Sequence, residues 1–115
     1  MNFDDKNNLV VGSFYQNNFS AEEKQQFTKE FAAITKKMVA CLDARLEPEH
    51  EKMQDAVRLH YEFCLRFWKP DRESYKNLAM SFALPTAYNE TYELEREGLG
   101  NYIYQAATHF ADSNL

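Results

Sequence analysis

Apolar residues recur every three or four positions along five stretches of this chain, and this spacing limits its possible folds more than any other feature. An α-helix turns once in about 3.6 residues, so such a spacing places the apolar side chains on one face. Runs that alternate apolar and polar residues, which would indicate strands, are missing from the sequence. The pattern therefore predicts an all-α fold, a single domain of about five helices.

The first two predicted helices are the longest. Ser20-Ala21-Glu22-Glu23 has the form of a capping box, and the first helix is predicted over residues 21–46. Pro48 ends it, because proline disfavours the helical conformation in the residue before it. The second helix is predicted from near Pro48 to Trp68, and its broad apolar face predicts a central helix that is contacted on more than one side. The two stripes are Phe27, Phe31, Ile34, Met38 and Cys41/Leu42, and then Met53, Val57, His60/Tyr61, Cys64 and Phe67/Trp68.

Three shorter helices follow. Lys69-Pro70 stops the second helix and Asp71 caps the third, while Pro85 begins the fourth. Gly98 is predicted to end the fourth helix, because glycine is the usual left-handed residue at a helix terminus. The stripes of the three helices are Tyr75, Leu78, Ala79 and Phe82, then Tyr88 and Tyr92, and finally Leu99, Tyr102/Ile103, Ala106 and Phe110.

Length and charge exclude several classes of protein. A chain of 115 residues has room for one domain, here residues 19–115, and the polar, Asn-rich residues 1–18 are predicted to be a flexible leader. A net charge of −5 without a Lys/Arg cluster argues against direct nucleic-acid binding. No CxxC motif, signal peptide or apolar run of about 20 residues is present. We expect a cytoplasmic protein that does not bind membranes.

His60 and Cys64 lie one helical turn apart and can face the same space. A metal site would need more ligands, and about 14 residues of helix separate His50 from Cys64 by about 21 Å. A Cys-His nucleophile pair would need a third, orienting group and an oxyanion hole, and the sequence marks neither. The pattern instead favours His60 as a buried polar anchor and Cys64 as a small apolar side chain. We therefore predict no catalytic residue, no metal and no cofactor.

Aromatic residues make up 15% of the chain, and two interpretations of them stay open. In the first, Phe67, Leu78, Phe82 and Tyr92 belong to an ordinary core. In the second, aromatic side chains such as Trp68 wall a cavity, since pockets for drug-sized ligands are mostly apolar. Such side chains could stack on a flat ligand.

The region from His60 to Gly98-Leu99 also carries an ordered pattern of residue types. A His is followed after seven residues by Phe, after six more by Glu, and then by Leu, Tyr and Gly-Leu. With these residues the chain, from about Phe19 to Phe110, resembles the TipAS-like antibiotic-recognition domain, the effector-binding half of certain MerR-type multidrug-sensing transcription regulators. The matching residues are His60, Phe67, Glu73, Leu78, Tyr92 and Gly98-Leu99.

The resemblance implies a globin-like packing of the helices around a ligand cleft. It implies non-enzymatic binding of bulky, partly aromatic molecules such as thiopeptide-like antibiotics, by a stand-alone sequestering domain or by the effector domain of a regulator. A homodimer is a further expectation. The predicted ligand-binding residues are His60, Cys64, Phe67, Trp68, Tyr75, Phe82, Tyr88 and Tyr92.

Two departures from the family pattern limit what the resemblance implies. Thiopeptide-sensing members hold cysteines at positions that correspond here to Pro70 and Asn77, which puts covalent capture of a ligand in doubt. The DNA-binding helices of the full-length regulators have no counterpart in this sequence. An alternative function is a helical interaction module whose aromatic groove binds a peptide or a partner helix.

Overall fold

The computed structural model describes residues 19–115, and within this range the chain forms five α-helices and no strand. The predicted leader, residues 1–18, lies outside the described residues. The all-α prediction with about five helices is confirmed. The helices are α1 (Ala21–Asp43), α2 (Glu51–Cys64), α3 (Arg72–Ala83), α4 (Ala87–Glu95) and α5 (Leu99–Asn114).

The predicted caps of α1 and α3 are present. Ser20 Oγ accepts from the Glu23 N–H at 3.1 Å, and the Glu23 carboxylate accepts from the Ser20 N–H at 2.8 Å. Asp71 and Ser74 form the same reciprocal pair at the start of α3, with both distances at 2.9 Å. Each pair satisfies two backbone N–H groups that the first turn leaves without partners. These helix starts are therefore encoded locally.

The first two helices are both shorter than predicted. α1 ends at Asp43 and not at residue 46, because Arg45 adopts a left-handed conformation with φ of 60° and turns the chain. α2 begins at Glu51, where His50 Nδ1 accepts from the Lys52 N–H at 3.0 Å, and it ends at Cys64. Phe67 and Trp68 were predicted to be helical but belong to the turn and loop that follow, and the N–H groups of both donate to the Cys64 carbonyl.

Gly98 adopts the predicted left-handed conformation, but it lies at the start of α5 and not at the end of α4. Its φ is 85°, but α4 already ends at Glu95, and Gly98 is the N-cap residue of α5. Glu93 reaches across this connection, and its carboxylate accepts from the N–H groups of Gly98 at 2.9 Å and Gly100 at 3.0 Å. The carboxylate takes the position of the side-chain cap that glycine cannot supply.

α2 is contacted on more than one side, as predicted, but the helix at the centre of the fold is α5, which contacts all four others. The pair of α5 with α3 is the most extensive in the fold, and Gly100 of α5 lies so close to the Phe82 carbonyl that a Cβ would overlap it. α2 packs on α1 and α5, its His60 and Tyr61 also contact Tyr75 of α3, and part of its apolar surface faces a cleft, which explains the breadth of its stripe. Residues with almost no exposure at the centre of the core are Met53, Val57, Leu99, Ile103 and Ala106.

No helix between residues 19 and 115 is both long enough and apolar enough to cross a membrane.

Candidate functional site

A cleft of about 320 Å³ opens between α1, α2 and the helices α3 and α4. Among the residues that the structure describes, no Lys, Arg, Asp or Glu side chain belongs to its lining. A volume of this size is at the lower end of the range for small-molecule sites, and an apolar lining with few polar groups is typical of them. The lining residues are Phe27, Thr28, Phe31, His60, Phe63, Cys64, Phe67, Trp68, Leu78, Phe82, Tyr88 and Tyr92.

The structure brings seven of the eight predicted ligand-binding residues into this lining. They are His60, Cys64, Phe67, Trp68, Phe82, Tyr88 and Tyr92. Phe82 and Tyr92 are each only 2% exposed, so they belong to the core and to the cleft at once. The sequence leaves two interpretations of the aromatic residues open, an ordinary core and the wall of a cavity. Both apply to these two side chains.

Tyr75 is the predicted residue that does not line the cleft. It is 1% exposed and lies behind His60, with its hydroxyl 2.8 Å from His60 Nδ1. Its ring makes an edge contact with Tyr61 at 5.3 Å. Helical spacing places Tyr75 on the inner face of α3 but does not tell whether that part of the face meets a neighbouring helix or a space.

Several lining residues were not predicted as site residues. Phe27, Thr28 and Phe31 come from α1, Phe63 from α2 and Leu78 from α3. Phe27 and Phe31 lie one helical turn apart on the predicted stripe of α1, which signalled a buried face but not its partner. The contact of α1 with the end of α2 is long-range and cannot be read from local spacing.

A connected cluster of phenylalanine rings forms one side of the cleft, and we call it the phenylalanine cluster (Phe27, Phe31, Phe63 and Phe67). Ring centroids lie 4.9 Å apart for Phe27 and Phe67, 5.2 Å for Phe63 and Phe67, and 5.9 Å for Phe31 and Phe63. Edge and tilted contacts of this kind contribute about 0.5–1.5 kcal/mol per pair beyond area burial. These contacts join α1 to α2 and to the turn that follows it.

Arg66 covers this cluster from outside. Its guanidinium lies 4.8 Å from the centre of the Phe27 ring and 5.9 Å from that of Phe63, and it forms an ion pair with Glu30 on α1. The group thus combines a cation–π contact with a charge-assisted hydrogen bond. Arg66 connects the turn after α2 to the first half of α1.

Four lining residues on α2 and α4 carry polar groups and form a second set, which we call the polar set (His60, Cys64, Tyr88 and Tyr92). His60 is 3% exposed, and its Nε2 lies 4.0 Å from Cys64 Sγ. Burial lowers the pKa of His60 to about 4 and raises the pKa of Cys64 to about 12. Burial also raises the pKa of Tyr88 and Tyr92, and for both the nearby Cys64 thiol is the next cause. Every member of the polar set is therefore uncharged at neutral pH.

The His60–Cys64 pair is poorly arranged for nucleophilic chemistry. A thiolate is the reactive form of cysteine, and burial strongly disfavours it here. The group that orients His60 is the Tyr75 hydroxyl, which can donate a hydrogen bond to Nδ1. A carboxylate at that position would instead accept a hydrogen bond from the Nδ1–H group and stabilise an imidazolium. The geometry suits binding better than proton abstraction.

The helix α4, which carries Tyr88 and Tyr92, is held against the end of α3 by the side chain of Asn89. Asn89 Nδ2 donates to the Phe82 carbonyl at the end of α3 at 2.7 Å. Gly100 lies against the same place, since a Cβ built on it would overlap the Phe82 carbonyl oxygen and the Asn89 amide. These contacts set how far α4 and α5 lie from the end of α3 at this edge of the cleft.

Other residues of the family pattern lie outside the lining. Glu73 is exposed in the first turn of α3, where a carboxylate complements the helix dipole. Pro70 is buried and Asn77 is exposed, and neither reaches the cleft. Across residues 19–115, no three His, Cys, Asp or Glu side chains converge as metal ligands would.

The family model described as the TipAS antibiotic-recognition domain matches residues 12–110. This match spans most of the chain and includes every residue of the cleft lining. No curated protein and no solved structure matches the chain.

Proposed function

We propose that this chain, which belongs to the family of TipAS antibiotic-recognition domains, binds bulky, partly aromatic small molecules in the cleft without catalysing a reaction on them. The observation that carries the proposal is the lining itself, which is aromatic and uncharged and has a volume of about 320 Å³. Flat ring systems gain from stacking and edge contacts with such walls, while an ionised ligand would lose hydration without gaining a counter-ion.

In this proposal the ligand lies between the phenylalanine cluster and the polar set. The cluster supplies apolar area, at about 25 cal/mol for each Å² removed from water. The polar set supplies a few directional contacts, which orient the ligand. A domain of this kind can sequester an antibiotic by itself or act as the ligand-sensing part of a transcription regulator.

Isothermal titration with a panel of thiopeptides and other aromatic antibiotics tests the proposal. We expect saturable binding of one ligand per chain, accompanied by a change in the fluorescence of Trp68. Trp68 is the only tryptophan in the chain and lies in the lining. No binding by any member of the panel would refute the proposal.

A matched pair of threonines tests whether the cleft is the binding site. Thr28 lines the cleft and Thr91 does not, yet both are exposed and both donate from Oγ1 to the carbonyl four residues earlier at 3.0 Å. Thr28→Trp should fill the cleft and reduce affinity at least about tenfold, which is about 1.4 kcal/mol. Thr91→Trp should leave affinity unchanged. Equal affinities of the two variants would place the ligand elsewhere.

A further inference from the structure

A buried hydrogen bond joins the core to the cleft through Tyr75 and His60. Tyr75 lies outside the lining and His60 within it, and the two side chains are 1% and 3% exposed. The Tyr75 hydroxyl oxygen is 2.8 Å from His60 Nδ1, so the opposite ring nitrogen, Nε2, lies on the side of Cys64. Whether Nε2 carries the ring proton therefore decides whether His60 presents a hydrogen-bond donor or an acceptor to the cleft.

The direction of this hydrogen bond follows from its donors and acceptors. A neutral imidazole carries one N–H and one bare nitrogen, and burial keeps His60 neutral by lowering its pKa to about 4. If Nδ1 carried the proton, the Tyr75 hydroxyl would have to accept it, and its own proton would need a second acceptor inside the core. A buried donor without an acceptor is costly. If Nδ1 is bare, the hydroxyl donates to it and the conflict disappears.

The ring proton of His60 therefore resides on Nε2. Among residues 19–115, the hydrogen-bond partner of Nε2 is Cys64 Sγ at 4.0 Å, and sulfur is a weak acceptor. An oxygen or nitrogen acceptor on a bound molecule would form a stronger bond with this N–H. Within residues 19–115, the lining contains no Lys or Arg that could attract an anion in place of such a molecule.

We infer that the Tyr75–His60 pair makes the cleft selective for uncharged aromatic molecules that present a hydrogen-bond acceptor, a ring nitrogen or a carbonyl oxygen, to His60 Nε2. The inference rests on the proposed function, since it names the class of ligand for the same cleft. His60 is the specificity-determining residue. Tyr75 is a positioning residue, which fixes the proton of His60 without touching the ligand.

Nitrogen NMR of the histidine rings tests the first step on the unaltered chain. Long-range proton–nitrogen correlations at neutral pH distinguish an imidazole protonated on Nε2 from one protonated on Nδ1. We expect the Nε2–H pattern for His60, and we expect the Nδ1 resonance to move in Tyr75→Phe, which removes the donor. An Nδ1–H pattern in the unaltered chain would overturn the inference, and this measurement stands even if a variant fails to fold.

Two probes of nearly equal size test the second step. Naphthalene has no acceptor, while isoquinoline carries one ring nitrogen and is uncharged at neutral pH. His60→Asn keeps an oxygen near the position of Nδ1 for Tyr75 and removes the Nε2 donor. His60→Gln places an amide N–H near the position of Nε2 and serves as the matched control.

The preference for isoquinoline over naphthalene, measured as a ratio of dissociation constants, should fall about fivefold in His60→Asn. It should be retained in His60→Gln. If both probes bind but His60→Asn leaves the ratio unchanged, the inference fails and the proposed function stands. If neither probe binds the unaltered chain, the inference fails, and the titration with the antibiotic panel decides the proposed function separately.

Discussion

The guanidinium of Arg66 lies over the Phe27 ring, 4.8 Å from its centre, and so ties the turn after α2 to the first half of α1. The two residues are far apart in the sequence, and α1 reaches the cleft only through this end. Most residues of α1 before Phe27 are exposed. Arg66 is thus placed to control how firmly this wall of the cleft is held.

Replacing Arg66 with Gln should loosen the first half of α1. The variant loses an exposed ion pair with Glu30 and a cation–π contact, together about 1 kcal/mol. Amide exchange across residues 24–31 should become about fivefold faster while the core amides of α5 are unchanged. Lys76→Gln removes the ion pair with Asp112 between α3 and α5 and is the control. Equal exchange of α1 in the two variants would show that Arg66 does not hold this helix.

Replacing Gly100 with Ala should destabilise the fold more than replacing Gly98. The added methyl of Gly100→Ala overlaps the Phe82 carbonyl oxygen, and forcing α5 away from α3 should cost about 2–3 kcal/mol. Gly98 has open space around it, so Gly98→Ala meets only the strain of its left-handed backbone, about 1–2 kcal/mol. Gly98→Asn should cost less, since Asn tolerates this conformation. Urea unfolding gives the order, and a smaller loss for Gly100→Ala would contradict the close packing described.

Stability should depend on pH through His60. Its folded pKa of about 4 lies below the ordinary value of 6.5, so between these values the unfolded chain binds a proton that the folded chain does not. The free energy of unfolding should therefore be highest above pH 6.5 and decrease by about 3 kcal/mol as the pH falls to about 4. Urea unfolding measures the slope, which should be much smaller in His60→Gln. An equal slope in that variant would assign the dependence to other groups.

Cys64 should react slowly with thiol reagents although it lines the cleft. Its pKa of about 12 lies three units above the ordinary 9.0, which reduces the thiolate fraction roughly a thousandfold. An added cysteine at the exposed position of Ser113, in the variant Ser113→Cys, provides a reference thiol in the same molecule. Mass spectrometry after iodoacetamide treatment should find the reference modified first. A thiopeptide adduct on Cys64 would contradict both the low reactivity and non-covalent binding.

The features that could be predicted from the sequence are those determined by residues within one or two helical turns of each other. The starts of α1 and α3 follow from Ser20 and Asp71, whose side chains bond to backbone groups three residues away. The end of α2 was misjudged because Phe67 and Trp68 continue its apolar periodicity beyond Cys64. Their rings face the cleft from a turn, and a stripe of apolar residues does not distinguish that position from another helical turn.

Contacts between distant parts of the chain were not predictable. The contact of Phe27 with Phe67 depends on how α1 crosses α2, and that crossing is set by the packing of several helices. The position of Tyr75 behind His60 is of the same kind. The apolar stripes place His60 and Tyr75 on the inner faces of their helices. Only the fold determines that His60 lines the cleft and that Tyr75 is enclosed in the core.

The two sides of the cleft come from parts of the chain that can change separately. Phe27 and Thr28 lie in the first half of α1, where the Phe27 ring contacts the rings of Phe63 and Phe67, while Phe31, one turn later, packs against His60 with ring centroids 6.3 Å apart. Shortening Phe27 or Thr28 would widen the space for a ligand while its polar attachment point stayed the same. A protein built in this way can evolve toward larger or smaller compounds by substitutions on one helix. The same division offers a practical route to engineered sensors, in which ligand size and ligand polarity are adjusted independently.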